Sequence, residues 1–257
     1  MPEARKNAPR TSDLAFIEVS HAGETFRIAL KRISTARRFT LRVRAATRDV
    51  VLTMPPRGSV IGARNFVERH AAWIGVRLQR LPAPMPFGAG EIVPVRGINH
   101  RIVERPHQRG TAWIEAAPDP QSDKSLPMLC VAGERAHVAR RVQDFLMREA
   151  RRDIETAVAR HAGKLGVSPR RITLRDTTSR WGSCSSTGAL NFSWRLIMAP
   201  SYVLDYLAAH EVAHLVHMNH SPAFWKILGK LSAHVERAEA WLKINGAGLL
   251  RFGPFKA

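Results

Sequence analysis

Cysteine is nearly missing from this chain: Cys130 and Cys184 are the only two. Two cysteines cannot build a disulfide framework, and nothing in the pattern suggests export. Long apolar runs are missing as well. No stretch approaches the 18 residues that a membrane-spanning helix needs, so no membrane partner is expected. The opening residues, MPEARKNAPRTSD, lack the apolar centre of a signal peptide. Residues 1–13 read as a disordered tail. Together these absences predict a cytoplasmic protein.

Acidic residues are scarce, 21 against 40 Lys and Arg, which leaves a formal charge of +19. Such an excess favours polyanions. It is spread along the chain, however, and there is no zinc knuckle, RNA-recognition signature or basic run interleaved with aromatics. Contact with nucleic acid or another polyanion is therefore expected only through a basic surface. A Gly-rich phosphate loop is also absent. What remains is ordinary globular material, 45% hydrophobic and 24% charged over 257 residues, enough to bury a large core.

The first half reads as strands. LAFIEVS, TFRIALKR, RFTLRVRA and DVVLTMPP alternate or run apolar between turn signals, which predicts an antiparallel meander or small barrel-like sheet. Ser59 caps a helix expected to run to Leu81, with His70 as a satisfied core histidine. Further strands are expected in EIVPVRGINHRIVERP, TAWIEAA and PMLCVAG. Residues 117–127 are the best boundary in the chain. A long amphipathic helix follows from Glu134 to Leu165, its outer face carrying Arg140, Arg141, Arg148, Arg151, Arg152 and Arg160. The expected organisation is a tail (1–13), a β-rich part with one helix (14–127) and a helical core (128–257), which can pack together as one unit.

The most informative stretch is His210-Glu211-Val212-Ala213-His214, followed by His217 and His220. Residues four apart on a helix share a face, so His210 and His214 can grip one metal ion. Glu211 can then act as general base on a water there. A catalytic zinc site takes a third protein ligand and leaves one position open. His217 lies about 10 Å along the axis from His210, too far for one ion. His220 fits if Asn219, in a left-handed conformation, ends the helix and Ser221-Pro222 opens the next. Glu236 or Glu239 is the alternative third ligand. Just upstream, RWGSCSSTGALNFSWRL reads as a strand pair beside the metal helix, able to offer an edge to an extended peptide. Arg180, Asn191 and Arg195 are candidates there to hold substrate or an oxyanion, or else to tie the hairpin down. Cys184 reads as a small core residue.

The run RWGSCSSTGALNFSWRLIMAPSYVLDYLAAHEVAHLVHMNHSPAFW resembles the YgjP-like group of zinc-dependent metallopeptidases, which carries an SprT-like label. The likeness extends more weakly over most of the chain after about residue 15. It implies an α+β fold with a minimal zincin-like metallopeptidase core, one Zn2+ on His210, His214 and His220, and Glu211 as catalytic base. The expected activity is hydrolysis of peptide bonds in a polypeptide substrate. Because the group also includes nucleoside triphosphate pyrophosphatases, a metal-dependent phosphoanhydride hydrolase is the main rival. A nucleic-acid-associated protease is the third reading.

Overall fold

The computed structural model describes residues 16–44, 48–81, 83–119, 121–122, 125–177 and 180–253. The tail expected over 1–13 lies outside them. The fold is α+β, with six α-helices and thirteen strands among the described residues. Contacts divide the chain into two compact units between Leu81 and Pro82.

In the first unit, β1 (Phe16–His21) and β2 (Glu24–Arg32) form an antiparallel hairpin. Its turn residues Ala22 and Gly23 both have positive φ, 49° and 81°, which suits a tight two-residue connection. The rest of the sheet departs from the expected antiparallel meander. β3 (Thr40–Val43) sits at the edge, and β4 (Val50–Met54) runs parallel to β2 in the order β1-β2-β4-β3. Burial explains the crossover. Val50, Val51, Leu52 and Met54 are all buried, so β4 needs both faces covered, whereas β3 alternates exposed and half-buried residues and tolerates an edge.

Helices α1 (Val60–Arg69) and α2 (Ala71–Gln79) replace the single helix expected over 59–81. Ser59 caps α1 as anticipated, its hydroxyl accepting from the Gly62 amide at 3.0 Å. The break falls at His70, whose ring Nδ1 takes the Phe66 carbonyl at 2.7 Å while its backbone N–H turns to Val67. A side chain has captured the acceptor that the next helical turn would use. His70 is satisfied locally, stacked on Phe66 at 4.3 Å.

The second unit starts with β5 (Met85–Pro86) and a sheet of β6 (Ile92–Val95), β7 (Ile98–Arg105), β8 (Ala112–Glu115) and β9 (Met128–Ala132). Its order is β6-β7-β9-β8, with β7 and β9 parallel. Helix α3 (Val138–Leu165) buries Val142, Leu146, Ile154 and Val158 in the same cluster as Val93, Ile102, Leu129 and Val131. That shared core explains why the division falls after Leu81 and not at the loop over 117–127. Gly166, at φ 64°, closes α3 in the left-handed form that glycine favours. On its outer face, Arg140 pairs with Asp144, Arg151 with Glu155 and Arg152 with Glu149. The charge run is thus partly neutralised within its own helix.

A second sheet of β10 (Arg171–Arg175), β11 (Gly182–Cys184) and β12 (Ala189–Ser193) has the order β10-β12-β11, so β11 is an edge. The Ser185–Gly188 turn joins β11 and β12 antiparallel, as the hairpin reading expected. Helices α4 (Ser201–Ala213), α5 (Pro222–Leu231) and α6 (Val235–Leu249) follow, and β13 (Phe252–Gly253) returns to pair with β5. Among the described residues no helix is long and apolar enough to cross a membrane.

Candidate metal centre

Helix α4 is apolar almost all round: Val203, Leu204, Leu207, Ala208, Ala209, Val212 and Ala213 are buried. A helix held this firmly fixes its polar residues in place. The helix stops at Ala213, six residues before the left-handed Asn219 that was expected to end it. No positive φ occurs at Asn219. The chain instead turns through tight bonds from the amides of Leu215 and Val216 to the carbonyls of Val212 and Ala213. His214 Nδ1 closes this turn on the His217 carbonyl at 2.9 Å. The turn brings His220 back over α4, with its Nε2 3.2 Å from Nε2 of His210. Ser221 and Pro222 then open α5 at the expected position, although the Ser221 side chain makes no capping bond.

His210, His214 and His220 present ligand atoms that all lie within 4.8 Å of one another. Two nitrogens bound tetrahedrally to zinc stand about 3.3 Å apart, so the His210–His220 spacing fits an ion between them. The ring of Phe224 closes one side, its centroid 5.0, 4.5 and 4.8 Å from those of His210, His214 and His220. Burial pushes the His210 ring down to about 4, helped by the neighbouring His214 and His220, and burial likewise lowers His214. Both rings are therefore neutral at neutral pH, the form that binds a metal. Three imidazoles suit zinc and other transition metals rather than magnesium or calcium.

The rings are also oriented from behind. Tyr206 Oη donates to Glu239 Oε1 at 2.8 Å and lies 3.3 Å from Nδ1 of His210. A phenol already donating to a carboxylate can only accept from His210, so the proton sits on Nδ1 and Nε2 is bare. Glu239, the alternative third ligand, thus anchors a ligand candidate instead of joining the cluster, and Glu236 is not in the cluster either. Sequence reasoning missed Tyr206. Its position four residues before His210 was the available signal.

Glu211 is 4% exposed, and its Oε2 has no hydrogen-bond partner. Burial pushes its carboxyl up to about 8. It lies against the backbone of Gly182 on β11, where an added Cβ would come 2.8 Å from the Glu211 Cδ. Only glycine leaves room for the carboxylate there, a constraint that the motif RWGSC did not reveal. The Cys184 thiol is pushed up by burial and then by the charge of Glu211, so it stays a thiol, consistent with a packing role.

Set beside known proteins, residues 37–245 match the family described as YgjP-like, metallopeptidase domain. The chain belongs to the YgjP-like family. Nothing among curated proteins matches it. A solved structure, the crystal structure of the metallopeptidase zymogen of Pyrococcus abyssi abylysin, matches at a TM-score of 0.32 and 18% identity. That match covers 36% of this chain and 95% of the other, a likeness too slight to carry fold or chemistry across.

The other residues singled out in this YgjP-like chain part ways. Arg195 is 3% exposed and bonds to Asp176 at 2.7 and 3.2 Å, to the Leu249 carbonyl at 3.1 Å and to the Phe252 carbonyl. It ties the segment after β12 to the C-terminal residues, with its guanidinium committed internally rather than offered to a substrate. Asn191 sits on β12 between Ser183 and Arg175, and Arg180 is exposed beside them. Sequence reasoning missed Arg175.

Proposed function

We propose that this protein is a zinc-dependent metallopeptidase in which His210, His214 and His220 hold one zinc ion and Glu211 is the general base. Zinc held there would act as a Lewis acid, lowering the pKa of water towards about 7 and polarising the scissile carbonyl. The chain's own residues do the rest. Tyr206 and the His217 carbonyl keep protons on the Nδ1 atoms of His210 and His214, so that both Nε2 lone pairs face the centre. Glu211 takes a proton from the attacking water and delivers it to the leaving amine. Burial raises this carboxyl, and the positive charge of a bound zinc would lower it again towards the ionised form that accepts a proton near neutral pH. The edge of β11, passing beside Glu211, is placed to pair with an extended polypeptide substrate.

The observation that carries this reading is the convergence of three ring nitrogens next to a buried carboxylate with an unpartnered oxygen. A cytoplasmic location belongs to the proposal, supported by the two cysteines standing apart as free thiols. The test is cleavage of an unfolded protein by the zinc-loaded chain beside Glu211→Gln. Cleavage by the wild type alone supports the reading. Equal cleavage by both proteins refutes the role of Glu211, and none by either, with zinc bound, refutes the activity.

A further inference from the structure

Several arginines of the second unit are matched to acids, among them Arg96, Arg105, Arg140, Arg151 and Arg195. Those lining a cavity of about 520 Å³ beside α3 pair with Glu149, Asp153 and Asp205. A smaller cavity of about 200 Å³ is different. It is lined by Arg175, Thr177, Arg180, Trp181, Ser183 and Asn191, among others. Among the described residues neither Arg175 nor Arg180 has a carboxylate partner. Arg175 Nε donates to Asn191 Oδ1 at 3.3 Å, and Asn191 Nδ2 donates to Ser183 Oγ at 3.4 Å. The cavity therefore offers two unneutralised guanidinium groups, one of them steered by a side-chain amide.

Its place relative to Glu211 follows from strand geometry. Successive residues of a strand face opposite ways. Gly182 turns towards Glu211, and Ser183 faces the other side with its cross-strand partner Asn191. A peptide paired to the free edge of β11 obeys the same alternation. If one residue is presented on the Glu211 side, its neighbour is presented on the side of Arg175 and Arg180.

We infer that this cavity is an oxyanion subsite of the substrate groove, taking a peptide carboxylate from an Asp or Glu side chain or from the peptide's own C-terminus. The inference rests on the metallopeptidase reading and adds a substrate preference to it. Paired guanidinium–carboxylate contacts are strong and directional, and the chain's net charge of +19 draws acidic peptides towards it.

The experiment measures binding separately from cleavage. Zinc-loaded Glu211→Gln protein is titrated, at physiological ionic strength, into short fluorescent peptides of one sequence. One carries an internal Glu and an amidated end, one an internal Gln and a free C-terminus, one neither carboxylate. At least one carboxylate peptide should bind about tenfold tighter than the uncharged one, and which of them does so identifies the source. Adding Arg175→Ala and Arg180→Ala should abolish that preference. Adding Arg140→Ala and Arg151→Ala, an equal loss of charge on α3, should keep it. Equal binding of all peptides overturns the subsite, as does a preference that survives the first pair of substitutions or is lost with the second. Tighter binding of inorganic pyrophosphate than of any peptide would assign the arginines to phosphate and also overturn it. Cleavage by the wild type separates the two claims. Carboxylate-dependent binding without cleavage sinks the peptidase and leaves the subsite, whereas cleavage indifferent to carboxylates does the reverse.

Discussion

Arg195 and Glu211 lie sixteen positions apart, and both are almost fully buried, at 3% and 4% exposure. Their surroundings differ completely. Arg195 is matched by a carboxylate and two carbonyls, while Glu211 keeps an oxygen with no partner and its neighbouring His210 and His220 face each other across 3.2 Å. Burying a polar group without a partner costs free energy, and at Glu211 that open carboxyl is one residue along from His210 in a cluster of three imidazoles able to hold a metal ion. The matched site holds the chain together, and the open one is where chemistry is expected.

Substitutions at each region sharpen the contrast. The largest effect belongs to Glu211→Gln: turnover falls by about 10³-fold or more, with zinc content and thermal midpoint nearly unchanged, as measured by single-turnover cleavage and metal analysis. Arg195→Ala should do the opposite, lowering stability by about 2–3 kcal/mol in urea titration while zinc still binds, because Asp176 and two carbonyls lose their donor. Gly182→Ala tests the join between the edge strand and Glu211. Its added methyl displaces the carboxylate, and turnover drops about 10- to 100-fold with metal retained, which zinc titration beside a rate assay would show. Tyr206→Phe and Glu239→Gln should each weaken zinc binding about tenfold in competition with a chelator, since His210 loses its orientation.

The smallest effect is a pH dependence in metal-free protein. Folding raises the Glu211 carboxyl to about 8, so its contribution is fully present at acid pH, below the unfolded value near 4.5, and is lost as pH rises through 8. Folding lowers the His210 ring to about 4, so its contribution is present above 6.5 and lost as pH falls through 4. The two slopes oppose each other between 4.5 and 6.5, and only the Glu211 slope remains above that. Thermal midpoints of chelator-treated protein should fall from about pH 6.5 to pH 8, and Glu211→Gln should flatten that fall.

The structure shows where sequence periodicity carried information. Four-residue spacing put His210 and His214 on one face, and the need for the chain to turn back selected His220 over His217. The turn itself was misread, because a ring-to-carbonyl bond from His214 does the work assigned to Asn219. In the first unit the strands were visible by their alternation, but their order was not. Which strand takes the middle depends on burial from both sides, and β4 shows that only once α1 and α2 cover the sheet. Tyr206 and Gly182 escaped notice because their roles depend on neighbours far along the chain, Glu239 in one case and Glu211 in the other.

The central claim is that three histidines, and no acid, hold one metal ion. Equilibrium dialysis against zinc followed by metal analysis tests it directly on the wild type, His220→Ala and Glu239→Ala. One tightly held zinc per wild-type chain is predicted, with severe loss in His220→Ala and only weakened binding in Glu239→Ala. Unchanged zinc in His220→Ala, with loss in Glu239→Ala, would contradict the account and make the glutamate the ligand.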